Sequence, residues 1–225
     1  MALPNRIGRL RLPVLCFVVN KAAVKDGDVE KAVSEAIAGG ATMVRISEEG
    51  MPAGELLELA RKVHGVTRGK ALLVVDDRVD VAVAVDADGV ELPETGLPTR
   101  AAREQVGKHA VVGRSVYEAE QAVQATREGA DYVTVGSIYK SATKSEKPAG
   151  VALLKEIRKD SNLPMLAAGG ITADKVSEVI KAGAAGAAVS SAIAAADDRK
   201  AAAEELAQAM KDAWAARPEE VAATA

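Results

Sequence analysis

The chain has 225 residues, enough for one barrel-sized domain and short for two. Hydrophobic residues make up 48% but aromatics only 2%, so a core has to be built from branched aliphatics and alanine, as in a parallel barrel. A formal charge of −3 leaves no basic surplus, which argues against nucleic acid or an anionic membrane as the main partner.

Short β-rich runs alternate with longer segments of helical period, the signature of repeated βα units. Before the first run, Arg6 and Arg9 are not followed by a signal-type apolar core, and no stretch reaches the roughly 18 apolar residues that span a bilayer. The first run, 13–19, holds the single cysteine, Cys16, which excludes an intrachain disulfide and reads as a buried small hydrophobe. The expected setting is the reduced cytoplasm. Further strands are predicted at 41–46, 70–75, 87–91, 110–113, 130–135, 163–167 and 184–189. The intervening helices are predicted at 28–38, 52–65, 78–85, 98–107, 117–128, 149–160, 173–182 and 197–214. Eight of each in this order predict an α/β fold, a single (β/α)8 TIM barrel with its core over 13–214 and flexible ends at 1–11 and 215–225. An open doubly wound sheet is the alternative. Glycines at 39–40, 129 and 183 recur at helix-to-strand joints, where a helix end calls for a left-handed residue.

In a barrel the C-terminal strand ends build the site. Those ends carry Asn20, Arg45, Ser47, Glu49, Asp76, Asp77, Glu91, Ser115, Tyr117 and Gly136, then Gly169-Gly170 and Ser190-Ser191. The last two pairs form the strongest constellation. Glycines let the backbone approach an anion, and N–H groups opening a short helix point at it, so a small phosphorylated molecule is the expected ligand. A tight turn at Gly169-Gly170 and a helix cap at Ser191 are the plain alternative. The polar segment 136–148 brings Tyr139, Lys140, Ser141, Thr143, Lys144 and Lys147 to the same face, suited to a second phosphate or to a solvated loop. Asp76-Asp77-Arg78 could bind Mg2+, act as a base, or supply a cap at Asp77 with an Asp76–Arg78 ion pair. His64 and His109 fall on the opposite face, which leaves acid–base work to carboxylates, Lys144 or Tyr117.

Several stretches, in register over about 13–195, resemble thiamin phosphate synthase: Gly39-Gly40-Ala41-Thr42, Val74-Val75-Asp76-Asp77-Arg78-Val79-Asp80, Ala87-Asp88-Gly89-Val90, 129–139, Thr143-Lys144, Gly169-Gly170-Ile171 and Ser191-Ala192-Ile193. The resemblance implies a (β/α)8 barrel that joins a pyrimidine diphosphate to a thiazole phosphate, releasing pyrophosphate with Mg2+ assistance. It implies that Gly169-Gly170 and Ser190-Ser191 hold the thiazole phosphate. Ser115, Ser141, Thr143 and Lys144 would face the pyrophosphate, and Asp77 would bind Mg2+. The pattern departs from that family at several places. The usual Gln-x-Arg-x-Lys is Arg45, Ser47 and Glu49; the usual Asn and His are Asp76 and Glu91; the second metal Asp is Gly96. Glu91-Leu92-Pro93 and Gly113-Arg114-Ser115-Val116 look like the TenI-type thiazole tautomerase branch, although its acid–base His is Tyr117 here.

The leading expectation is therefore a TenI-like barrel that binds a thiazole phosphate. As a tautomerase it would use Glu91 or Asp76 as base, with Tyr117 and Ser115 as hydrogen-bonding partners. The alternatives are a working synthase using Arg45 and Lys144 for the pyrophosphate, in which case Mg2+ is implied, and a non-catalytic relic that keeps the phosphate cup. A homo-oligomer is expected from the resemblance and the Ala-rich helices.

Overall fold

The computed structural model describes residues 6–140 and 148–217. Eight strands, β1 Val14–Val19, β2 Met43–Ile46, β3 Leu72–Asp76, β4 Gly89–Leu92, β5 Val111–Val116, β6 Tyr132–Val135, β7 Met165–Ala168 and β8 Gly186–Val189, pair in chain order. All neighbours are parallel, and β1 pairs with β8 to close the barrel. The helices are α1 Val29–Ala38, α2 Ala53–Thr67, α3 Val79–Ala84, α4 Thr99–Val106, α5 Ala119–Arg127, α6 Ala152–Asp160, α7 Ala173–Lys181, the short α8 Ser191–Ala194 and α9 Arg199–Ala215. The fold is the expected (β/α)8 barrel. No helix among the described residues is long and apolar enough to cross a membrane.

Strand alternation divides the apolar residues into two sets. Leu15, Phe17, Val44, Ile46, Leu73, Val75, Val90 and Val112 point outward and pack under the helices. Cys16, Met43, Val74, Val111, Tyr132, Leu166 and Ala188 fill the barrel itself. Helix starts are set locally. Asp28 accepts the Lys31 N–H at 2.9 Å at the head of α1, and Asp198 accepts the Ala201 N–H at 2.9 Å at the head of α9.

Residues 6–11 pack against the lower end of the barrel. Leu10 is buried in the inner core, the Arg6 Nε pairs with Asp131 at 2.7 Å, and Arg9 pairs with Asp88. Composition alone hid this, because these arginines find partners distant in sequence. Strand β5 runs to Val116, beyond the predicted 113, since Arg114, Ser115 and Val116 keep register with Val133, Thr134 and Val135. Ser115 is thus a strand residue. His64 lies on the same lower side, with Nδ1 2.9 Å from the Val85 carbonyl.

Candidate functional site

At the C-terminal strand ends a cavity of about 620 Å³ opens between β1, β2, β6, β7 and β8. Its wall includes Arg45, Ser47 and Glu49 on one side and Gly169, Gly170, Ser190 and Ser191 on the other. Asn20 and Gly136 line it as well, so the barrel brings these strand-end residues together as expected.

Gly169 and Gly170 have φ of +90° and +63°. A Cβ on Gly169 would overlap the Ser137 hydroxyl, and one on Gly170 would lie 2.5 Å from the Lys140 carbonyl oxygen. The two glycines are therefore required by the loop that follows β6, and this close packing leaves bare backbone facing the cavity. Ser190 is the N-cap residue of α8 and Ser191 its first residue. Neither Ser191 nor Ser190 caps the helix through its side chain, because the Ser190 side chain makes no cap bond. The Ile193 and Ala194 N–H groups donate to the Ser190 carbonyl at 3.0 and 2.9 Å, so only those of Ser191 and Ala192 lack an acceptor within the helix.

Beneath the cavity the barrel centre is charged. Arg45 projects inward from β2, its Nε 3.2 Å from Asp76 Oδ1 on β3 and its Nη1 3.4 Å from Glu91 Oε1 on β4. The same Nη1 donates to Thr134 Oγ1 at 3.4 Å, and the Ser115 hydroxyl donates to Glu91 Oε1 at 2.9 Å. Asp76 and Glu91 are register partners on adjacent strands, so the guanidinium bridges two neighbouring carboxylates. Glu91 is 1% exposed. Burial pushes its pKa up, Asp76 adds to the rise, and Arg45 opposes it. Burial disfavours the Arg45 cation, but Asp76 and Glu91 more than offset this and raise its pKa. Gly113 leaves the space that Glu91 and Tyr132 occupy, since a Cβ there would overlap Glu91 Oε2 and the Tyr132 ring.

The structure separates other predicted residues from the cavity. Glu91, Asp76, Asp77, Ser115 and Tyr117 are not among its lining residues. The backbone N–H of Tyr117 donates to Gln121 Oε1 at 2.7 Å at the head of α5. Asp77 does not cap α3: it sits at φ 57°, and the N-cap position is Arg78. The expected Asp76–Arg78 pair is replaced by Asp76–Arg45, while Arg78 turns to Asp80 at 2.5 Å. Tyr139 directs its hydroxyl to Glu178 at 2.5 Å on α7. Ser141, Thr143, Lys144 and Lys147 lie outside the described residues. Sequence reasoning missed Thr134 and Ser137. Thr134 was legible as an inward residue from the alternation Tyr132, Val133, Thr134, Val135.

A family model described as thiamine monophosphate synthase matches residues 15–193. The chain belongs to this family. It is 41% identical over 194 residues to the thiamine-phosphate synthase of Chloroflexus aurantiacus, covering 84% of this chain and 89% of that one. With the Pyrococcus furiosus thiamine-phosphate synthase it shares 39% over 199 residues, 88% of this chain and 95% of the other. A solved structure of thiamine phosphate pyrophosphorylase from Pyrococcus furiosus superposes with a TM-score of 0.82 at 36% identity, covering 91% of this chain and 98% of that chain. These relatives carry the synthase name and support a transferase, so the tautomerase expectation gains nothing from them.

For a member of the thiamine monophosphate synthase family, the donor set for Mg2+ is poor. No cluster of three or more acidic, His or Cys side chains suited to a metal occurs among the described residues. Asp76 is engaged with Arg45, and Asp77 faces Gly96, whose Cβ would stand 2.9 Å from Asp77 Oδ1. Position 96 is thus where a second carboxylate would meet Asp77, and it is bare. One carboxylate does not make a protein-held divalent cation site of the kind the resemblance implied.

Proposed function

We propose that the chain catalyses a synthase-type transfer, joining a pyrimidine diphosphate to a thiazole phosphate with release of pyrophosphate. The thiazole phosphate sits at the Gly169-Gly170 and Ser190-Ser191 end of the cavity, where bare backbone and the opening turn of α8 offer N–H donors. Arg45 and Lys144 receive the diphosphate, and Ser141 and Thr143 add hydroxyl donors. Ser115 serves this end indirectly, through its bond to Glu91. The observation that carries the reading is the cavity itself, which has the glycine and serine pairs on one wall and a cation on the other.

A second reading is favoured by Gly96 beside Asp77 and by Glu49 in the cavity wall: the chain binds the thiazole phosphate without transfer. One experiment separates the two. Calorimetric titration with thiazole phosphate is paired with an assay for thiamin phosphate at high enzyme concentration, with Mg2+ in the buffer. Binding with turnover supports the transfer; binding without turnover supports the second reading. Failure to bind the thiazole phosphate removes both.

A further inference from the structure

We propose that Asp76 and Glu91 are positioning residues that act through Arg45, presenting one edge of its guanidinium to the cavity as a fixed anchor for the diphosphate end of the ligand. The inference rests on the reading of this cavity as a site for phosphorylated ligands and adds a role for two acids that do not reach it.

An arginine whose only task was to neutralise the buried Glu91 would be buried with it. Arg45 instead keeps 13% of its side-chain surface exposed and forms part of the cavity wall. Three separate strands flank it: Asp76 on β3 pairs with Nε at 3.2 Å, and Glu91 on β4 and Thr134 on β6 each lie 3.4 Å from Nη1. Contacts at two of the three nitrogens restrict how the guanidinium plane can turn, and with it the direction of the remaining N–H groups. Ser115 holds the same Glu91 oxygen that faces Arg45, which keeps the carboxylate from rotating away. A planar cation with a preset edge suits an oxyanion that offers two oxygens, as a diphosphate does. Glu91 is buried and does not line the cavity, so it acts on a ligand there only through Arg45.

The test is calorimetric titration with inorganic pyrophosphate of the wild type and of R45Q, D76N and E91Q, each also titrated with thiazole phosphate. R45Q is expected to lose about tenfold in pyrophosphate affinity or more, with thiazole phosphate within twofold of wild type. The acids provide a test of sign. Removing a negative charge near an anion site should tighten pyrophosphate on charge alone, whereas a loosened Arg45 should weaken it. About threefold weakening in D76N and E91Q is the expected result. Unchanged pyrophosphate affinity in R45Q, or tightening in both acid variants, overturns the proposal. Should R45Q fail to fold, the neutral triple variant R45Q/D76N/E91Q takes its place and is expected to show the same loss. A wild type that binds pyrophosphate through Arg45 but not thiazole phosphate would sink the functional reading and leave the anchor standing.

Discussion

Replacing Arg45 by Gln tests whether the three charges form one unit. At an effective dielectric of about 20, charges separated by the observed 3.2 and 3.4 Å attract by about 5 kcal/mol per pair. Much of that is offset by the cost of burying the guanidinium and Glu91. The net loss expected on deleting one partner of a buried pair is about 3–5 kcal/mol at neutral pH. The substitution leaves Asp76 and Glu91 facing each other on adjacent strands with no counter-charge. The pH dependence has a definite sign. Glu91 already has a folded pKa above its ordinary value, so the folded state binds more protons than the unfolded chain. The part of the stability linked to Glu91 is therefore fully present below its ordinary pKa and is lost as pH rises through the elevated value. In R45Q the opposing pull of Arg45 is gone, the pKa rises further, and the destabilisation grows with pH. One further pKa unit makes the R45Q penalty about 1.4 kcal/mol larger at pH 8 than at pH 4. The triple variant R45Q/D76N/E91Q removes all three charges and is expected within about 1 kcal/mol of wild type. Urea unfolding followed by far-UV circular dichroism at pH 4 and 8 measures each difference. A loss under about 1 kcal/mol for R45Q at pH 8 would refute the reasoning, as would a triple variant as unstable as the single one.

Gly169→Ala places a Cβ on the Ser137 hydroxyl at φ +90°, and is expected to cost about 2 kcal/mol or more and to weaken thiazole phosphate binding; thermal melts and titration measure both. Gly96→Asp puts a second carboxylate against Asp77 and should lower the melting temperature in EDTA, with part of the loss recovered in millimolar Mg2+. A variant indifferent to Mg2+ would show that these two positions cannot share a cation. Burial pushes the Cys16 thiol up to about 12, so at pH 8 it should resist a disulfide reagent in the folded protein and react fully in urea.

The barrel was legible because its outward strand faces are apolar and its helices repeat at regular spacing, which period and length reveal without any partner being known. The proposed phosphate end rests on a similar reason: Gly169-Gly170 and Ser190-Ser191 sit at the ends of the last two strands, where topology alone points to the site. The inward residues were harder. Arg45, Asp76 and Glu91 lie on three different strands, and nothing local says that they meet. Asp76 has Arg78 two residues away, which made a short-range pair the natural expectation. The tight turn in which Asp77 adopts φ 57° instead sends Arg78 toward Asp80. Ser115 looked like a loop residue because a polar inward position inside a barrel carries no hydrophobic signal.

Read one position at a time, Arg45, Asp76 and Glu91 are three separate losses from the synthase pattern. Read together they compensate in charge: a cation arrives between two acids on neighbouring strands, Thr134 accepts from Arg45, and Ser115 donates to Glu91. The inner layer of this barrel is therefore a consistent design in its own right, and it still presents a cation to the cavity. The rim is different. Ser47 and Glu49 line the cavity where the pattern has two cations, and Gly96 leaves Asp77 without a second acid. Glu49 in particular opposes a polyanion rather than replacing a lost donor, since an ionised carboxylate only accepts hydrogen bonds. The family reaction in this chain thus depends on whether Arg45 and Lys144 can hold a diphosphate that the rim no longer helps to bind. Arg45→Gln in the turnover assay addresses that dependence directly. If transfer is the function, it should fall with pyrophosphate affinity, while thiazole phosphate binding at the glycine and serine pairs continues unchanged.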